Sequence, residues 1–315
     1  MKYIGRFAPS PTGPLHLGSL VAALASWLDA RANKGVWLVR IEDIDQERCH
    51  ADFSQVILDQ LRRCGLISDQ EVVYQSQRAQ LYETHVQTLK QKDLLYPCGC
   101  SRTDIANAVN ATGPRTNSAP LIYPGTCRLK TEKTFKWDGT FVHANDQSHN
   151  KKPALRIKTV DQTVLWHDRL SGASQQNIFN EVGDFVIKRA DGPYSYQLCV
   201  VVDDIDQSIT HVVRGEDLAD NTPRQMYLFE QFQCPPPIYL HVPLVRNEKG
   251  EKLSKQTFAP ALELASPQNV LSTMKSAAQF LELQCQIIHN GTLQDHLIDW
   301  THQWSLKYPL KPSKP

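Results

Sequence analysis

Apolar and polar positions along this chain follow two periods, one typical of strands and one typical of helices. The run GVWLVRI at residues 35–41 is continuous enough for a buried strand, and the start of the chain predicts a strand that ends near Ala8. Residues 20–28, 53–63 and 79–90 instead carry apolar side chains at helical spacing. Strands that alternate with helices of this length predict an α/β fold with a parallel sheet.

The composition and the hydrophobic pattern of the sequence change in the middle of the chain. From Tyr96 to about Asn180, Cys, Pro, Gly and Asn interrupt short strand-like pieces such as ALRIKTV and TVLWH, which indicates an insertion. Apolar runs return at DFVIKR, SYQLCVVVDDI and THVVRG, where we expect the sheet to resume, and helical spacing is clear at residues 270–283. These changes predict four segments: the first half of the main α/β domain at 1–97, an insertion at 98–182, the second half at 183–250 and a loop with a small helical unit at 251–315.

Length and composition limit the class of protein. A chain of 315 residues with 41% hydrophobic residues can form two or three compact units with apolar cores. No apolar run reaches the roughly 18 residues of a membrane span, and the start lacks the apolar core of a signal peptide. We therefore expect a cytoplasmic protein without membrane contact, and nothing in the sequence indicates an obligate protein partner.

Charge and cysteine content add two expectations. The net charge of +1 gives no overall attraction to nucleic acid, so an RNA partner would need a local basic surface. Eight cysteines are too few for a disulfide scaffold of this size. Reduced thiols are therefore expected.

The segment RFAPSPTGPLHLGS at residues 6–19 indicates a phosphate-binding site. Pro9, Pro11 and Pro14 restrict a loop between the first strand and a helix that carries His16 at its start. The free amides of a helix N-terminus, with about half a positive charge from the helix dipole, suit a triphosphate.

Two glycines and the histidine favour this interpretation. Gly13 and Gly18 have no Cβ, so a base or a phosphate can approach the backbone closely. His16 can donate a hydrogen bond to a phosphate oxygen in a transition state. The alternative is a Pro-rich loop that only caps an ordinary helix.

A second polar loop, NEKGEKLSKQ, lies at residues 247–256. Lys252 and Lys255 flank Ser254, and two mobile cations suit a migrating pyrophosphate. Taken alone, a loop rich in Lys, Glu and Gly is more typical of a solvated turn.

The two loops together resemble the signature sequences of the class I aminoacyl-tRNA synthetases. GRFAPSPTGPLHLGS, RIEDID, VVVDDIDQSITHVVRGEDL and NTPRQ resemble the glutamyl/glutaminyl branch of that family, and the matches extend over residues 3–256. The resemblance implies a Rossmann-type parallel sheet that activates glutamate with ATP and Mg²⁺, with His16 and Lys255 as catalytic residues. It also implies that ATP is bound by Pro9, Gly13, His16, Gly18, Ser19, Lys252, Ser254 and Lys255.

A glutamate pocket follows from the same resemblance. Selection of an acidic side chain in a dry site requires cations with planar, bidentate geometry, and Arg6 and Arg214 are the candidates. Glu42 would pair with the substrate ammonium group, while Tyr196 would shape the pocket and donate a hydrogen bond. The full set implied for glutamate is Arg6, Ala8, Ser10, Glu42, Tyr196 and Arg214.

Each of these side chains also has a structural alternative. Glu42 could form a surface ion pair with Arg40, and Tyr196 could be a core aromatic residue. Arg214 could be the ion-pair partner of one of two carboxylates that follow it, Glu216 and Asp217.

Three cysteines in the insertion predict a metal site. Cys98 and Cys100 are one residue apart and Cys127 follows on a second turn, so three thiolates can bind one tetrahedral Zn²⁺. Three reduced cysteines near a turn are the alternative. The residue types leave the fourth ligand open among Tyr123, His143 and His149. The resemblance to glutamyl-type synthetases with a small zinc module implies a structural zinc held by Cys98, Cys100, Tyr123 and Cys127.

The number of residues that follow the second signature sequence, KLSKQ, suggests which molecule accepts the glutamyl group. That signature ends at Gln256, which leaves 59 residues. Full-length glutamyl-tRNA synthetases continue with a large anticodon-binding domain, and we expect no such domain here. The chain thus resembles the shortened paralogues that attach glutamate to the queuosine base in the anticodon of tRNA(Asp), which implies ATP, L-glutamate and queuosine-containing tRNA(Asp) as partners. The alternatives are a truncated synthetase that charges a tRNA 3′ end and a catalytically inactive RNA-binding paralogue.

Overall fold

The computed structural model describes residues 2–45, 47–110, 122–128, 152–246, 261–285 and 291–310. Several residues singled out in the sequence lie outside these ranges, namely Lys252, Ser254, Lys255, His143 and His149.

The first part of the chain alternates strands and helices as the hydrophobic pattern predicts. Its elements are β1 (Ile4–Phe7), α1 (Leu17–Ala32), β2 (Val36–Ile41), α2 (Ala51–Arg63), β3 (Val73–Tyr74) and α3 (Ala79–Gln91). The strand predicted at residues 35–41 and the helices predicted around 20–28, 53–63 and 79–90 are confirmed.

The remaining elements begin with β4, which belongs to a different sheet from β1, β2 and β3. They are β4 (Leu95–Cys98), α4 (Arg102–Asn110), β5 (Ala154–Ile157), β6 (Thr163–Asp168), β7 (Gly172–Asn177), β8 (Val186–Lys188), α5 (Tyr196–Asp206), β9 (His211–Gly215), α6 (Thr222–Gln231), β10 (Ile238–Val242), α7 (Pro267–Phe280) and α8 (Leu293–Lys307). The helix predicted around residues 270–283 is confirmed as α7.

Seven strands form the main sheet, in the order β3-β2-β1-β9-β10-β6-β7. All neighbours are parallel except β6 and β7, which form an antiparallel hairpin. The chain leaves β1 to one side for β2, and β9 later joins β1 on the other side, so the strand order reverses at β1. In open α/β sheets, ligands bind at the carboxyl ends of strands beside such a reversal. The predicted α/β class with a mostly parallel sheet is confirmed.

A second sheet of three antiparallel strands has the order β4-β5-β8. Two strand assignments differ from the expectation. The DFVIKR run, expected in the main sheet, forms β8 of this small sheet. The TVLWH run, expected in the insertion, forms β6 of the main sheet, where Asp168 is in register with Tyr239 of β10. Hydrophobic alternation identifies a strand but not its neighbour, which depends on contacts between distant residues.

The apolar run SYQLCVVVDDI was wrongly expected to be part of the sheet, because it forms helix α5. Ser195 caps the helix, since its hydroxyl accepts the backbone N–H of Leu198. Residues 198–204 are all buried, on every side of the helix. A short continuous apolar run has no periodicity that separates a buried helix from a buried strand.

Two apolar clusters cover the main sheet. One packs α1, α7 and α8 against β1, β2, β9 and β10, and its largest fully buried side chains include Trp37, Trp300 and Trp304. The other packs α3, α5 and α6 around Tyr82, Leu198 and Phe229. In the described part of the chain, every helix is too short or too polar to cross a bilayer.

Candidate active site and metal cluster

A cavity of about 500 Å³ opens at the carboxyl ends of β1, β9 and β10. Its walls come from the loop after β1, the first turn of α1, the start of α5 and the segments after β9 and β10. Gly13 lies between Thr12 and Pro14, which both line the cavity. The structure thus brings together around one space ten of the residues expected to bind ATP or glutamate: Arg6, Ala8, Pro9, Ser10, His16, Gly18, Ser19, Glu42, Tyr196 and Arg214.

His16 is fixed at the start of α1 by a reciprocal cap. The ring Nδ1 of His16 accepts the backbone N–H of Ser19 at 3.3 Å, and the Ser19 hydroxyl accepts the backbone N–H of His16 at 2.8 Å. Because Nδ1 accepts, the ring proton lies on Nε2. The positive end of α1 therefore lies at the cavity wall. Amides in the first turn of a helix have no acceptor within the helix.

Arg6 reaches the cavity from the carboxyl end of β1, and one edge of its guanidinium is bound to a buried carboxylate. Its Nε and Nη2 donate to the two oxygens of Asp204 at 3.3 and 3.4 Å. Asp204 also pairs with Arg40 at 2.8 Å, so one carboxylate is shared by two cations. Among the described residues, the Nη1 group of Arg6 has no protein acceptor, and it is available to a ligand at the cavity.

Glu42 lies in the same charged network and is buried. Its carboxylate is 3.4 Å from Arg40, so the expected pairing exists, but it is internal and not on the surface. Burial raises the pKa of Glu42 to about 7, against the opposing effect of Arg40 and Arg6. Burial, and then the charge of Glu42, also raise the pKa of the Tyr196 phenol. Both side chains face the cavity and are neither surface nor core residues.

Arg214 is a buried cation with neutral partners. It is 4% exposed, and its Nε donates to Nε2 of His241 at 3.1 Å. Its other hydrogen bonds go to Gln225 Oε1, the Leu218 carbonyl and Thr222 Oγ1.

No described carboxylate forms an ion pair with Arg214, so the structural alternative through the two following acids is not observed. Glu216 instead lies 3.7 Å from Arg246. A buried charge without a counter-ion is costly. The cavity beside Arg214 is therefore suited to an anionic ligand.

Sequence reasoning missed the groups that support these cations. Asp204, His241, Gln225 and Asp168 are each at least 95% buried. The available signal was their position, because each is a polar residue within an apolar run or beside a motif. A buried polar side chain requires a hydrogen-bonding partner, and in this fold the partner is an arginine at the cavity, another buried side chain or the backbone.

Three cysteines of the insertion form a cluster whose Sγ atoms all lie within 4.8 Å of one another. The Sγ atoms of Cys100 and Cys127 are 3.4 Å apart, and the Tyr123 hydroxyl lies 3.4 Å from Cys98 Sγ and 3.9 Å from Cys100 Sγ. A tetrahedral Zn²⁺ with bonds of about 2.3 Å requires S–S distances of about 3.8 Å. Cys98, Cys100 and Cys127 therefore fit a metal ion of this size.

The pKa values within the cluster are shifted in opposite directions. The hydrogen bond from Cys98 lowers the pKa of Cys127 to about 6. Burial and contact with Cys98 raise the pKa of Tyr123 well above its usual range. Arg156 lies 4.0 Å over the Tyr123 ring and places a positive charge beside the cluster. The donor set is three sulfurs and one phenol oxygen.

Comparisons with known proteins identify the family of this chain. The profile of the family described as tRNA synthetases class I (E and Q), catalytic domain, matches residues 3–267. A protein named glutamyl-Q tRNA(Asp) synthetase from Albidiferax ferrireducens is 48% identical over 96% of this chain and 98% of its own length. A protein of the same name from Janthinobacterium sp. (strain Marseille) is 50% identical over 92% of this chain and 93% of its own length.

Solved structures give the same result. A glutamate tRNA ligase from Elizabethkingia meningosepticum, crystallised with its amino acid, is 28% identical and superposes with a TM-score of 0.68 over 81% of this chain. The chain spans about half of that longer ligase, 52% of its length. The chain therefore belongs to the class I (E and Q) tRNA synthetase family, with close relatives named glutamyl-Q tRNA(Asp) synthetase.

Proposed function

We propose that this chain activates L-glutamate with ATP to form glutamyl-adenylate and transfers the glutamyl group to the queuosine base of tRNA(Asp). The observation that carries the first step is that two buried arginines and a capped helix N-terminus line the same cavity. The acceptor is proposed from the names of the curated relatives that match nearly the whole chain.

Arg214 and Arg6 would bind the side-chain carboxylate of glutamate. Arg214 supplies a charge that no described protein anion neutralises, and Arg6 supplies its Nη1 group. Ionised Glu42 would pair with the substrate ammonium group, and the Tyr196 hydroxyl would donate a hydrogen bond to the bound amino acid. Ala8 and Ser10, in the loop after β1, would complete the contact surface.

The N-terminus of α1 would bind the phosphates of ATP. The Gly18 amide lies in the first turn, and His16 would donate through Nε2 to a phosphate oxygen. Ser19, whose own amide donates to His16 Nδ1, lines the same wall of the cavity. The loop that contains Pro9 and Gly13 would lie against the nucleotide. Lys252, Ser254 and Lys255 complete the proposed ATP site as sequence-based assignments.

The reaction would proceed in two displacements. An oxygen of the glutamate α-carboxylate attacks the α-phosphorus of ATP, and the bond to the pyrophosphate oxygen breaks. A hydroxyl of the queuosine base then attacks the glutamyl carbonyl carbon, an ester forms and AMP leaves. Mg²⁺ bound with ATP would neutralise phosphate charge, while His16 and Lys255 would stabilise the charge that develops on the phosphate oxygens.

The cysteine cluster would hold a structural zinc ion. Cys98, Cys100 and Cys127 would bind as thiolates and Tyr123 as the fourth ligand, which leaves no open position for a substrate. Its contribution would be to fix β4 and the turn around Tyr123 beside the small sheet, because binding a metal to a folded site stabilises the fold.

Two assays test the proposal. Pyrophosphate exchange should require both glutamate and ATP, and absence of exchange in the presence of Mg²⁺ and RNA would leave only an RNA-binding protein. Radiolabelled glutamate should then be transferred to tRNA(Asp) that contains queuosine and not to the same tRNA without it. Equal labelling of both RNAs would show that queuosine is not the acceptor. If the labelled glutamate were attached to the 3′ end of the tRNA, the protein would be an ordinary synthetase.

A further inference from the structure

Behind Arg214 lies a buried chain of two side chains, His241 of β10 and Asp168 of β6. We infer that Asp168 and His241 are positioning residues that orient the guanidinium of Arg214 toward the glutamate carboxylate. The inference deepens the proposed function and rests on it for the identity of the ligand, whereas the hydrogen-bond chain itself can be measured without any ligand.

The geometry fixes the direction of each hydrogen bond. Arg214 Nε lies 3.1 Å from His241 Nε2, and His241 Nδ1 lies 2.7 Å from Asp168 Oδ2. An arginine Nε only donates, so His241 Nε2 must accept. The ring proton is then on Nδ1 and is donated to Asp168, which leaves the imidazole neutral.

Asp168 is itself held in place by the backbone. Its Oδ1 accepts the amides of Leu170 and Ser171 at 2.9 Å each, and its Oδ2 also accepts the amide of His241 at 3.0 Å. Although burial acts in the opposite direction, the hydrogen bond from His241 and these amides lower the pKa of Asp168. The carboxylate is therefore ionised and is a fixed acceptor for His241.

A neutral acceptor has a specific advantage at this position. A carboxylate in direct contact with Arg214 would neutralise its charge and compete with the substrate carboxylate. His241 instead accepts the Nε–H of Arg214 and adds no charge. Three further N–H groups of Arg214 are accepted by Gln225, Thr222 and the Leu218 carbonyl. Of the five guanidinium N–H groups, the described protein leaves one, on Nη1, for a ligand.

The chain of hydrogen bonds predicts the effect of Asp168→Asn. The asparagine amide would donate a hydrogen bond to His241 Nδ1, so the ring proton would move to Nε2. The Nε2–H of His241 and the Nε–H of Arg214 would then face each other as two donors and could not form a hydrogen bond. A buried aspartate that orients a histidine shows this tautomer reversal when it is replaced by asparagine. In pyrophosphate exchange, the KM for glutamate should rise about tenfold or more, since a hydrogen bond to a charged group contributes that much. The KM for ATP should stay unchanged.

A second variant separates positioning from a general loss of structure. In His241→Gln, the side-chain Oε1 can accept from Arg214 Nε without help from Asp168, so this variant should retain most of the affinity for glutamate. Adding Asp168→Asn to it should change the KM for glutamate by less than about twofold, because the two sites act through one chain of bonds.

Asp184→Asn is the matched control. Asp184 is buried and accepts four hydrogen bonds, from Tyr96, Arg128 and two groups of Thr159, but it does not line the cavity. Its replacement should lower the thermal midpoint without a selective change in the KM for glutamate.

Nitrogen-15 NMR of labelled histidine tests the chain directly, with His241→Gln used to assign the signal. The wild-type ring should be protonated on Nδ1 only, and Asp168→Asn should move the proton to Nε2. A wild-type ring with its proton on Nε2 would overturn the inference, as would equal increases of both KM values in Asp168→Asn. Wild-type protein with no glutamate-dependent exchange would contradict the proposed function, while the NMR result would still decide whether the hydrogen-bond chain exists.

Discussion

At the cavity, Glu42 is a buried carboxylate whose charge responds to pH near neutrality. Its buried carboxyl has a pKa of about 7, so it is neutral below that pH and ionised above it. The proposed pairing with the substrate ammonium group requires the ionised form. We therefore expect kcat/KM for glutamate to fall about tenfold per pH unit as the pH decreases below 7, since this ratio reports groups of the free enzyme.

Glu42→Gln is the control for this pH profile. The amide cannot ionise, so the variant should have a low kcat/KM for glutamate without the inflection near neutrality. A wild-type profile that is flat between pH 6 and 8 would contradict the assigned role of Glu42.

Arg214 should contribute more to glutamate selection than any other single cation at the cavity. Arg214→Ala removes the charge that the cavity presents without a described counter-ion. Sites built around a polar partner can discriminate by about 10⁴, so kcat/KM for glutamate in pyrophosphate exchange should fall by about that factor. Arg224→Ala is the matched control, because Arg224 bonds the Asp220 carbonyl and does not line the cavity. Equal effects of the two variants would remove Arg214 from the pocket.

The sequence predicted the residues at the cavity surface better than those behind it. Arg6, His16 and Arg214 belong to local motifs whose residue types suit anions. Asp204 and His241 act through hydrogen bonds to distant parts of the chain, as between Asp204 and Arg6, 198 positions apart. Such pairs depend on the sheet order, which no local pattern contains.

At the level of elements, helix α5 shows where local patterns fail. Its valines favour a strand, yet Ser195 starts a helix and every side of that helix is buried. The helix also carries Asp203 and Asp204 to the charged groups beneath the cavity, where Asp203 accepts from Arg78, Gln75 and Tyr82. Tertiary contacts outweigh the strand propensity of this run.

The cysteine cluster belongs to the same scale, because it joins β4 to the turn around Tyr123. Cys127→Ser should release zinc and loosen the small sheet, while ATP affinity should stay close to that of the wild type because the cluster is separate from the cavity. Metal analysis after gel filtration measures the first effect and nucleotide titration the second.

Cys234→Ser is the matched control, since Cys234 is a half-buried thiol outside the cluster. This variant should keep one zinc per chain. Stoichiometric zinc in Cys127→Ser would exclude Cys127 as a ligand.

For the whole molecule, Asp29 connects the first helix to the C-terminal one. This fully buried carboxylate accepts from Tyr3, from Arg169 through two bonds of 2.6 and 2.9 Å, and from Trp304 Nε1 at 2.8 Å. Breaking a buried ion pair by removing one partner costs about 3–5 kcal/mol, and we expect Asp29→Ala to lower the free energy of unfolding by that amount.

Urea denaturation measures this difference, and the exposed pair of Asp59 and Arg62 provides the comparison. Asp59→Ala should lower the free energy of unfolding by at most about 1 kcal/mol. If both variants lost the same stability, Asp29 would not be the connection between these helices.

The class of the fold follows from the sequence, whereas the strand order does not. Alternating helical and strand periods predict a parallel α/β sheet, and the motifs identify its ligand-binding edge. The addition of β6 and β7 to the far side of the sheet requires the pairing of β6 with β10, where a single register contact joins residues 71 positions apart. Asp168 reaches His241 only because of that pairing.

The central claim is that one cavity holds the glutamate side chain against Arg6 and Arg214 and the adenylate phosphate beside His16. A crystal structure with a non-hydrolysable glutamyl-adenylate analogue tests it most directly. We expect the analogue's side-chain carboxylate within hydrogen-bond distance of Arg214, its ammonium group beside Glu42 and its phosphate mimic at the N-terminus of α1. An analogue bound elsewhere, or with its carboxylate distant from both arginines, would show that this cavity is not the site of glutamate activation.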